Sequence, residues 1–388
     1  MIVGIVTLDW LPRYGGSVIY THRLARRLAA LGVDVKIATA TPASATGADV
    51  EFETLRPAAP MDEGDPQQVR TWYLGLPTWA KERNLSHVLI NQPLSRVSHA
   101  YARELYTLLG ACGCAVGAIH YDLGRDVSGK LAWNYASTSS WDDAAWQVLK
   151  EIRAHVIGQG DQGYFDIESP FYFGPDFVVS CSEWSDRFVD PLGQHAHCVL
   201  HPLLDVRRTS TDGLDLVDVS FVNPLPHKGV HTLLDLIRAP GQQWTFRVLK
   251  GGYGSGFDSF LEEVGATDAW RSRRIEMLEY TADMSEFYRR TRLLLFPSLY
   301  EGYGLAAVEP LCEGTPVVAR EYPSVVEGVG DGARLVPFTA LSGEWVDAIA
   351  EVLADHSVWR NRAAARAATL QGREQEELDD FIRFLESL

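Results

Sequence analysis

The sequence predicts an α/β protein built from two doubly wound parallel sheets, each covered by helices. Three observations carry this. Apolar runs of strand length alternate with helically spaced segments along the chain. The alternation halts in a polar, turn-rich stretch and then restarts. And 388 residues exceed what one hydrophobic core ordinarily serves. Strand–helix alternation with short turns is the pattern of a parallel sheet with helices on both faces.

Residues 2–7 (IVGIVT) read as a strand buried on both faces. A turn with Gly15 and Gly16 leads into residues 17–31, whose apolar spacing is helical, and Gly32 stops that helix. Strands follow at 35–40 and 87–91, a helix near 97–110, then strands at 115–120 and 176–182. The seam is HPLLDVRRTSTDGLD, residues 201–215. Beyond it the pattern repeats. A strand spans 217–223, a helix includes 230–237, and a strand over 245–252 ends in two glycines. Residues 283–291 read as a helix, with Asp283 and Glu286 spaced as a capping box. A strand at 293–298, a helix at 304–313, a strand at 316–320 and thirty helical residues complete the chain. The expected domains are 1–203 and 204–372, with a final helix, 373–388, packing back on the first.

Ligands of open parallel sheets bind at the carboxyl ends of the strands. Gly15 and Gly16, His120, Ser182, Asn223 to Lys228, Gly251 and Gly252, and Ser298 to Glu301 stand at such ends. Two such halves imply a cleft between them.

The net charge of −16 excludes broad basic surfaces for nucleic acid and disfavours anionic membranes. The five cysteines are scattered and odd in number, which fits neither a disulfide framework nor a zinc site and points to a reducing compartment. HAHC (195–198) reads as a strand entry rather than a metal site. The N-terminus has no basic region before its short apolar run, and no window approaches the roughly 20 apolar residues of a membrane span. A cytoplasmic protein is expected. Residues 121–175 are irregular and aromatic, with Trp133, Tyr135, Trp141, Trp146, Tyr164, Phe165, Phe171, Tyr172 and Phe173. They read equally as a packed insertion or as a wall for a sugar-like acceptor.

The most informative stretch is FPSLYEGYGLAAVEP, residues 296–310. A helix starting near Gly304 offers unpaired amides at a positive dipole end, an anion site. Gly302 and Gly304 allow a close approach. Glu301 and Glu309 would repel a phosphate unless they grip hydroxyls, since a carboxylate accepts from both groups of a diol. A phosphate between two polyols is the layout of a nucleotide sugar. Taken alone, the two glutamates read equally well as a helix-start carboxylate and a solvated helix residue. Lys228 sits on a turn where it could reach the same place, and His120, ending a strand, is a candidate acid/base.

With these pieces in order, the chain resembles the GT-B glycosyltransferases of the retaining family 4 type. The matching pieces are YGGSVIYTHRLARRLAALG, His120 after AVGAIH, DFVVSCSEWSDRF, NPLPHKGVHTLL, VLKGGYG, and YTADMSEFYRRTRLLLFPSLYEGYGLAAVEPLCEGTPVVAR with its E-x7-E spacing from Glu301 to Glu309. The resemblance implies two Rossmann-like domains facing across a deep cleft. It implies that Glu309 holds the ribose and Glu301 the donor sugar, with the amides of Gly302, Tyr303, Gly304 and Leu305 on sugar and phosphate. Lys228 would bind the diphosphate, Gly15 and Gly16 would close over it, and His120 would lie beside the sugar's anomeric centre. Gly251, Gly252 and Tyr280 would line the base pocket. The catalytic set would be His120, Glu301 and Lys228, with no metal and no cofactor beyond a co-substrate, UDP-sugar by default.

Two departures stand out. Asn223 occupies the place where the family usually has a diphosphate-binding arginine, and Pro310 follows Glu309. The resemblance implies transfer of a hexose with retention to a hydroxyl, and the aromatic insertion with the acidic balance points to a small soluble acceptor, such as a natural-product scaffold or free sugar. Two alternatives remain open: an isomerase or epimerase of nucleotide sugars on the same fold, and a non-catalytic nucleotide-sugar binding subunit.

Overall fold

The computed structural model describes residues 1–11, 15–42, 51–57, 65–91, 99–121, 175–189, 195–205, 214–251, 260, 262, 264–265, 267–272, 274–279, 281 and 283–388. They form two compact units. The first runs to Leu203 and takes in Glu374–Leu388, and the second runs from Leu204 to Arg373. The aromatic segment singled out above lies outside the described residues.

The first unit contains β1 (Ile2–Thr7), α1 (Gly16–Ala30), β2 (Asp34–Thr39), β3 (Glu53–Leu55), α2 (Pro66–Tyr73), α3 (Leu76–Glu82), β4 (His87–Asn91), α4 (His99–Gly110), β5 (Ala115–His120), β6 (Phe177–Ser180), α5 (Glu183–Val189) and β7 (Ala196–Val199). Its parallel sheet has the order β3-β2-β1-β4-β5-β6-β7. The inner strands β4, β5 and β6 are buried almost throughout, which is why they read as unbroken apolar runs rather than alternating ones. Gly4 in β1 has a packing reason: a Cβ there would stand 2.5 Å from Leu85 Cδ1, against the layer of α3.

The second unit contains β8 (Val217–Val222), a 3-10 turn (Pro226–Lys228), α6 (Val230–Arg238), β9 (Phe246–Leu249), α7 (Asp268–Arg271), β10 (Ile275–Leu278), α8 (Met284–Arg289), β11 (Thr291–Phe296), α9 (Leu305–Cys312), β12 (Val317–Arg320), α10 (Pro323–Val329), β13 (Ala333–Val336) and α11 (Ser342–Ala354). Its sheet is also parallel, in the order β10-β9-β8-β11-β12-β13. Phe221, Leu233, Phe246, Trp345 and Ile349 are among the side chains of its core. Full burial of each such side chain is worth about 1.5–3 kcal/mol. The last helix, α12 (His356–Glu386), passes from the second unit into the first at Glu374.

One expected detail is corrected. The Asp283 carboxylate caps α8 by accepting from Glu286 N–H at 3.0 Å, but the box is not reciprocal. Asp283 N–H is taken by Thr281 Oγ1 (3.1 Å), and the Glu286 carboxylate is drawn to Arg289 and Arg290 instead. Two arginines at i+3 and i+4 outcompete one backbone amide. Among the described residues, no helix is long and apolar enough to cross a membrane.

Two histidines tie α12 down. In the first unit His87 is hydrogen-bonded through Nε2 to the Leu385 carbonyl (2.8 Å). In the second, His356 Nε2 bonds the Arg292 carbonyl (2.8 Å). Burial lowers the pKa of each below the ordinary value of 6.5, with the carbonyl bond opposing it only in part. The unfolded chain therefore binds more protons than the folded one as acid is added. The resulting stability is present above pH 6.5 and is lost as pH falls through the lowered folded values. Urea midpoints should drop between pH 7.5 and pH 5. His87→Gln, which keeps a donor for Leu385, should make that drop shallower.

Candidate functional site

A doubly wound sheet has a switch point, where the strand order reverses and the loops diverge to leave room for a ligand. In the second unit it lies between β8 and β11. The loops after these two strands carry most of the residues singled out from the sequence.

After β8 the chain turns at Asn223, which has φ 60°. Asparagine tolerates this left-handed conformation better than most residues with a side chain. Its N–H donates to the Leu249 carbonyl and its carbonyl accepts from Leu225 N–H, both at 2.8 Å. The side chain lies over Gly251, where an added Cβ would stand 2.1 Å from Asn223 Oδ1. Position 251 must therefore be glycine while Asn223 keeps this pose. The 3-10 turn follows, closed by Gly229 at φ 81°. A Cβ on Gly229 would stand 2.4 Å from the Pro297 carbonyl oxygen, so the two loops touch through bare backbone.

Three further contacts join the loops. Leu299 N–H donates to the His227 carbonyl at 2.9 Å. The His227 and Tyr300 rings stack at 5.6 Å and 18°. Lys228 Nζ donates to Glu301 Oε1 at 2.7 Å, with side-chain exposures of 26% and 13%. Ser324 Oγ holds the Glu301 carbonyl (2.6 Å) from α10. Ser298 Oγ is buried and meets no hydrogen-bond partner among the described residues.

Gly304, at φ 80°, is the N-cap of α9, and its bare backbone leaves the first turn of the helix unscreened by a side chain. Glu309 is the fifth residue of α9, and the buried Tyr288 hydroxyl donates to its Oε2 (3.3 Å). Pro310 lies inside the helix, where it supplies no backbone donor. The second unit thus brings Asn223, Lys228 and Glu301, together with Gly251, Gly302, Tyr303, Gly304, Leu305 and Glu309, to the carboxyl edge of one sheet. Gly252 and Tyr280 lie outside the described residues.

Behind this edge is a residue that sequence reasoning missed. Arg320, 4% exposed at the end of β12, donates from Nε to the Pro297 carbonyl (3.1 Å) and from Nη1 to the Phe338 carbonyl. Its guanidinium carbon lies 5.4 Å from the Phe338 ring and 5.3 Å from the Trp345 ring. Burial lowers its pKa to about 10, so it stays cationic at neutral pH. The one available signal was a charge closing an otherwise apolar strand, PVVAR. Tyr288 was missed too, because in DMSEFYRRT it reads as an ordinary apolar helix position.

In the first unit, Gly15 is the N-cap of α1 with φ −173°, an extended conformation open to any residue, and a Cβ on Gly16 would meet open space. Gly16 is therefore not required by its own fold, and the backbone angle at Gly15 makes no demand for glycine. His120 ends β5, but its side chain is fully buried rather than set at an exposed edge. Its register partner on β6 is Ser180. His197, of the HAHC segment, pairs with Asp186 at 3.1 Å.

Arg320→Met would leave the Pro297 and Phe338 carbonyls without their buried donor. It should cost about 2 kcal/mol of stability, seen as a lower urea midpoint, with Arg320→Lys in between.

Residues 218–369 match the family described as Glycosyl transferases group 1. The matched residues lie wholly within the second unit. Among curated relatives, the D-inositol 3-phosphate glycosyltransferase of Nocardia farcinica is 31% identical over 162 residues, 39% of this chain and 36% of that protein. The O-antigen chain mannosyltransferase B of Escherichia coli is 30% identical over 152 residues, 36% of this chain and 37% of that one. The matches thus span little more than a third of these relatives' length. Anabaena HepE in complex with UDP and glucose superposes with a TM-score of 0.68 at 16% identity, over 99% of each chain. Sucrose-phosphate synthase from Thermosynechococcus elongatus gives 0.68 at 15% identity, over 100% of this chain and 99% of that one. The chain has the GT-B fold of these glycosyltransferases, and residues 218–369 of its second unit match the glycosyl transferases group 1 family.

Proposed function

We infer that this protein is a glycosyltransferase that moves a hexose from a nucleoside-diphosphate sugar, with retention, to a hydroxyl of a small acceptor. The observation that carries this reading is the Lys228–Glu301 pair at the switch point of the second unit, 2.7 Å apart. A lysine and a carboxylate set beside a bare helix start suit a ligand that has a diphosphate next to a polyol.

The pair adds a step to that reading. In the ligand-free protein the ammonium is engaged by the carboxylate. An arriving diphosphate takes over Lys228, and the freed Glu301 accepts from the sugar hydroxyls. Glu309, whose Oε2 accepts from Tyr288, takes the ribose. The Asn223 amide, seated over Gly251, donates a neutral hydrogen bond where an arginine would have brought charge. The first amides of α9 and Lys228 stabilise the departing diphosphate. The acceptor oxygen bonds to the anomeric carbon on the face the diphosphate leaves. The bond to the diphosphate oxygen breaks, and that oxygen takes the acceptor's proton. His120 is the residue that the resemblance assigns to the sugar, and its fully buried side chain would have to be uncovered to reach it, whereas Gly15 and Gly16 admit a close approach to phosphate. The first unit is assigned to the acceptor and the second to the donor. UDP, present in the Anabaena HepE complex, is the default nucleotide.

The neutral Asn223 favours one second reading, a protein that binds nucleotide sugar without turning it over. Donor binding with no transfer to any acceptor would select it.

A thermal-shift panel of UDP, GDP, ADP and TDP, each with and without its sugars, is the first test. Ligand at 100 times its dissociation constant stabilises by about 2.7 kcal/mol. One nucleotide should stand out, and no shift from any of them sinks the reading. Glu309→Ala should weaken the bare diphosphate about tenfold or more. Glu301→Gln removes the competitor for Lys228, so the bare diphosphate should bind somewhat more tightly while sugar transfer falls. Equal diphosphate affinity in wild type and Glu301→Gln would rule out the exchange.

A further inference from the structure

Among the described residues of the second unit, one buried positive charge has no negative partner. Arg320 closes β12 at 4% exposure. Its Nε and Nη1 donate to the Pro297 and Phe338 carbonyls, and the Phe338 and Trp345 rings lie beside its guanidinium. Carbonyl dipoles and ring faces soften the loss of water, but none of them carries a negative charge. No carboxylate among the described residues pairs with it, and burial is the one cause that moves its pKa. A buried charge either neutralises or finds a partner. A guanidinium does not release its proton at neutral pH, so a partner is the remaining route.

Arg320 stands behind both halves of the proposed diphosphate site. It follows Ala319, the register partner of Phe296 on β11. On one side, the Pro297 carbonyl oxygen that it holds is the one on which Gly229 packs, directly after Lys228. Covalent dimensions and these contacts put its Nε within roughly 7 Å of the Gly229 Cα. On the other side, a Cβ on Gly304, the N-cap of α9, would stand 3.4 Å from the Phe296 ring. The two loops that form the edge, residues 223–229 and 297–304, carry one lysine, one glutamate and one histidine. With the histidine neutral, lysine and glutamate cancel, while a diphosphate is a polyanion. Salt screens exposed charges over such distances, but a buried charge acts through a medium of low dielectric.

We propose that the Arg320 guanidinium is a fixed counter-charge for the diphosphate at the switch point of the second unit, acting across the backbone of Pro297 and Gly229 rather than by contact. Resting on the transferase reading, this gives the donor site a second cation beside Lys228. The ligand supplies the negative charge that the folded chain leaves out. Because carbonyls and rings already hold the guanidinium in place, it needs no rearrangement when the diphosphate arrives. Attraction at a distance scales with the charge of the ligand, whereas a role in shaping the edge does not.

The test is a ligand series of falling charge on the full chain: UDP, UMP and uridine, or the same series of the base that the thermal-shift panel selects. Calorimetry gives the nucleotide affinities and saturation-transfer NMR that of the nucleoside. Arg320→Gln removes the charge and keeps a donor for Pro297. It should weaken the diphosphate about tenfold and the monophosphate about fivefold, and leave the nucleoside unchanged. Arg320→Met is neutral as well and should repeat the graded loss, so the result stands even if the glutamine variant does not fold. Arg320→Lys, in mildly acidic buffer where a buried ammonium keeps its proton, should stay near the wild type for all three ligands. An equal loss of all three ligands in the neutral variants means a misplaced edge and overturns the proposal. So does an unchanged diphosphate affinity, or a lysine variant that loses as much as the neutral ones. A wild type that no nucleoside diphosphate stabilises overturns the transferase reading itself.

Discussion

The Pro297 carbonyl oxygen is the point on which the switch-point edge of the second unit depends. It accepts from the buried Arg320, and on it packs the bare Cα of Gly229. Gly229 follows Lys228 directly, and Pro297 lies four residues before Glu301. Their backbones are therefore registered before any charge attracts another. The stack of His227 on Tyr300 and the bond from Leu299 to His227 complete that registration. An exposed ion pair between two long side chains is worth little, because ordering them costs entropy. A half-buried pair whose backbones are already fixed loses less on forming, and a ligand that displaces one partner finds the other still in place.

The two switch points use the same architecture for different chemistry. The second unit puts charged groups there, a lysine and a carboxylate, beside a helix start. The first unit, whose switch point falls between β1 and β4, puts neutral groups there: the Asn91 amide donates to Thr7 Oγ1 and Thr21 Oγ1. Parallel sheets make this possible because every strand delivers its last side chain to the same edge. Which chemistry results depends on two or three residues per edge, while the strands behind them need only be apolar.

Much of this was legible in the sequence. Strands buried on both faces announce themselves as apolar runs, so β1, β4 and β5 were read to the residue, and α9 to within one. Glu301, Glu309 and Lys228 stand out only through the family resemblance, since each alone reads as well as an ordinary turn or helix residue. The short elements were not legible. IEML of β10 and ARLV of β13 are four residues each and only partly buried, too brief to show a period. Arg320 and Tyr288 escaped for a different reason. Their significance lies in what they touch 23 and 21 residues away along the chain, and spacing along a sequence carries no trace of such contacts.

The seat of Asn223 over Gly251 has a consequence for how this site can change over evolutionary time. The two positions exclude each other's alternatives. Any side chain at 251 collides with the amide, and any longer residue at 223 must find another path from a backbone already in the left-handed region. Substitutions there should be epistatic, tolerated together and rejected singly. A variant with a cation at 223 would need its turn rebuilt first, so the neutral amide is a state that single steps do not easily leave.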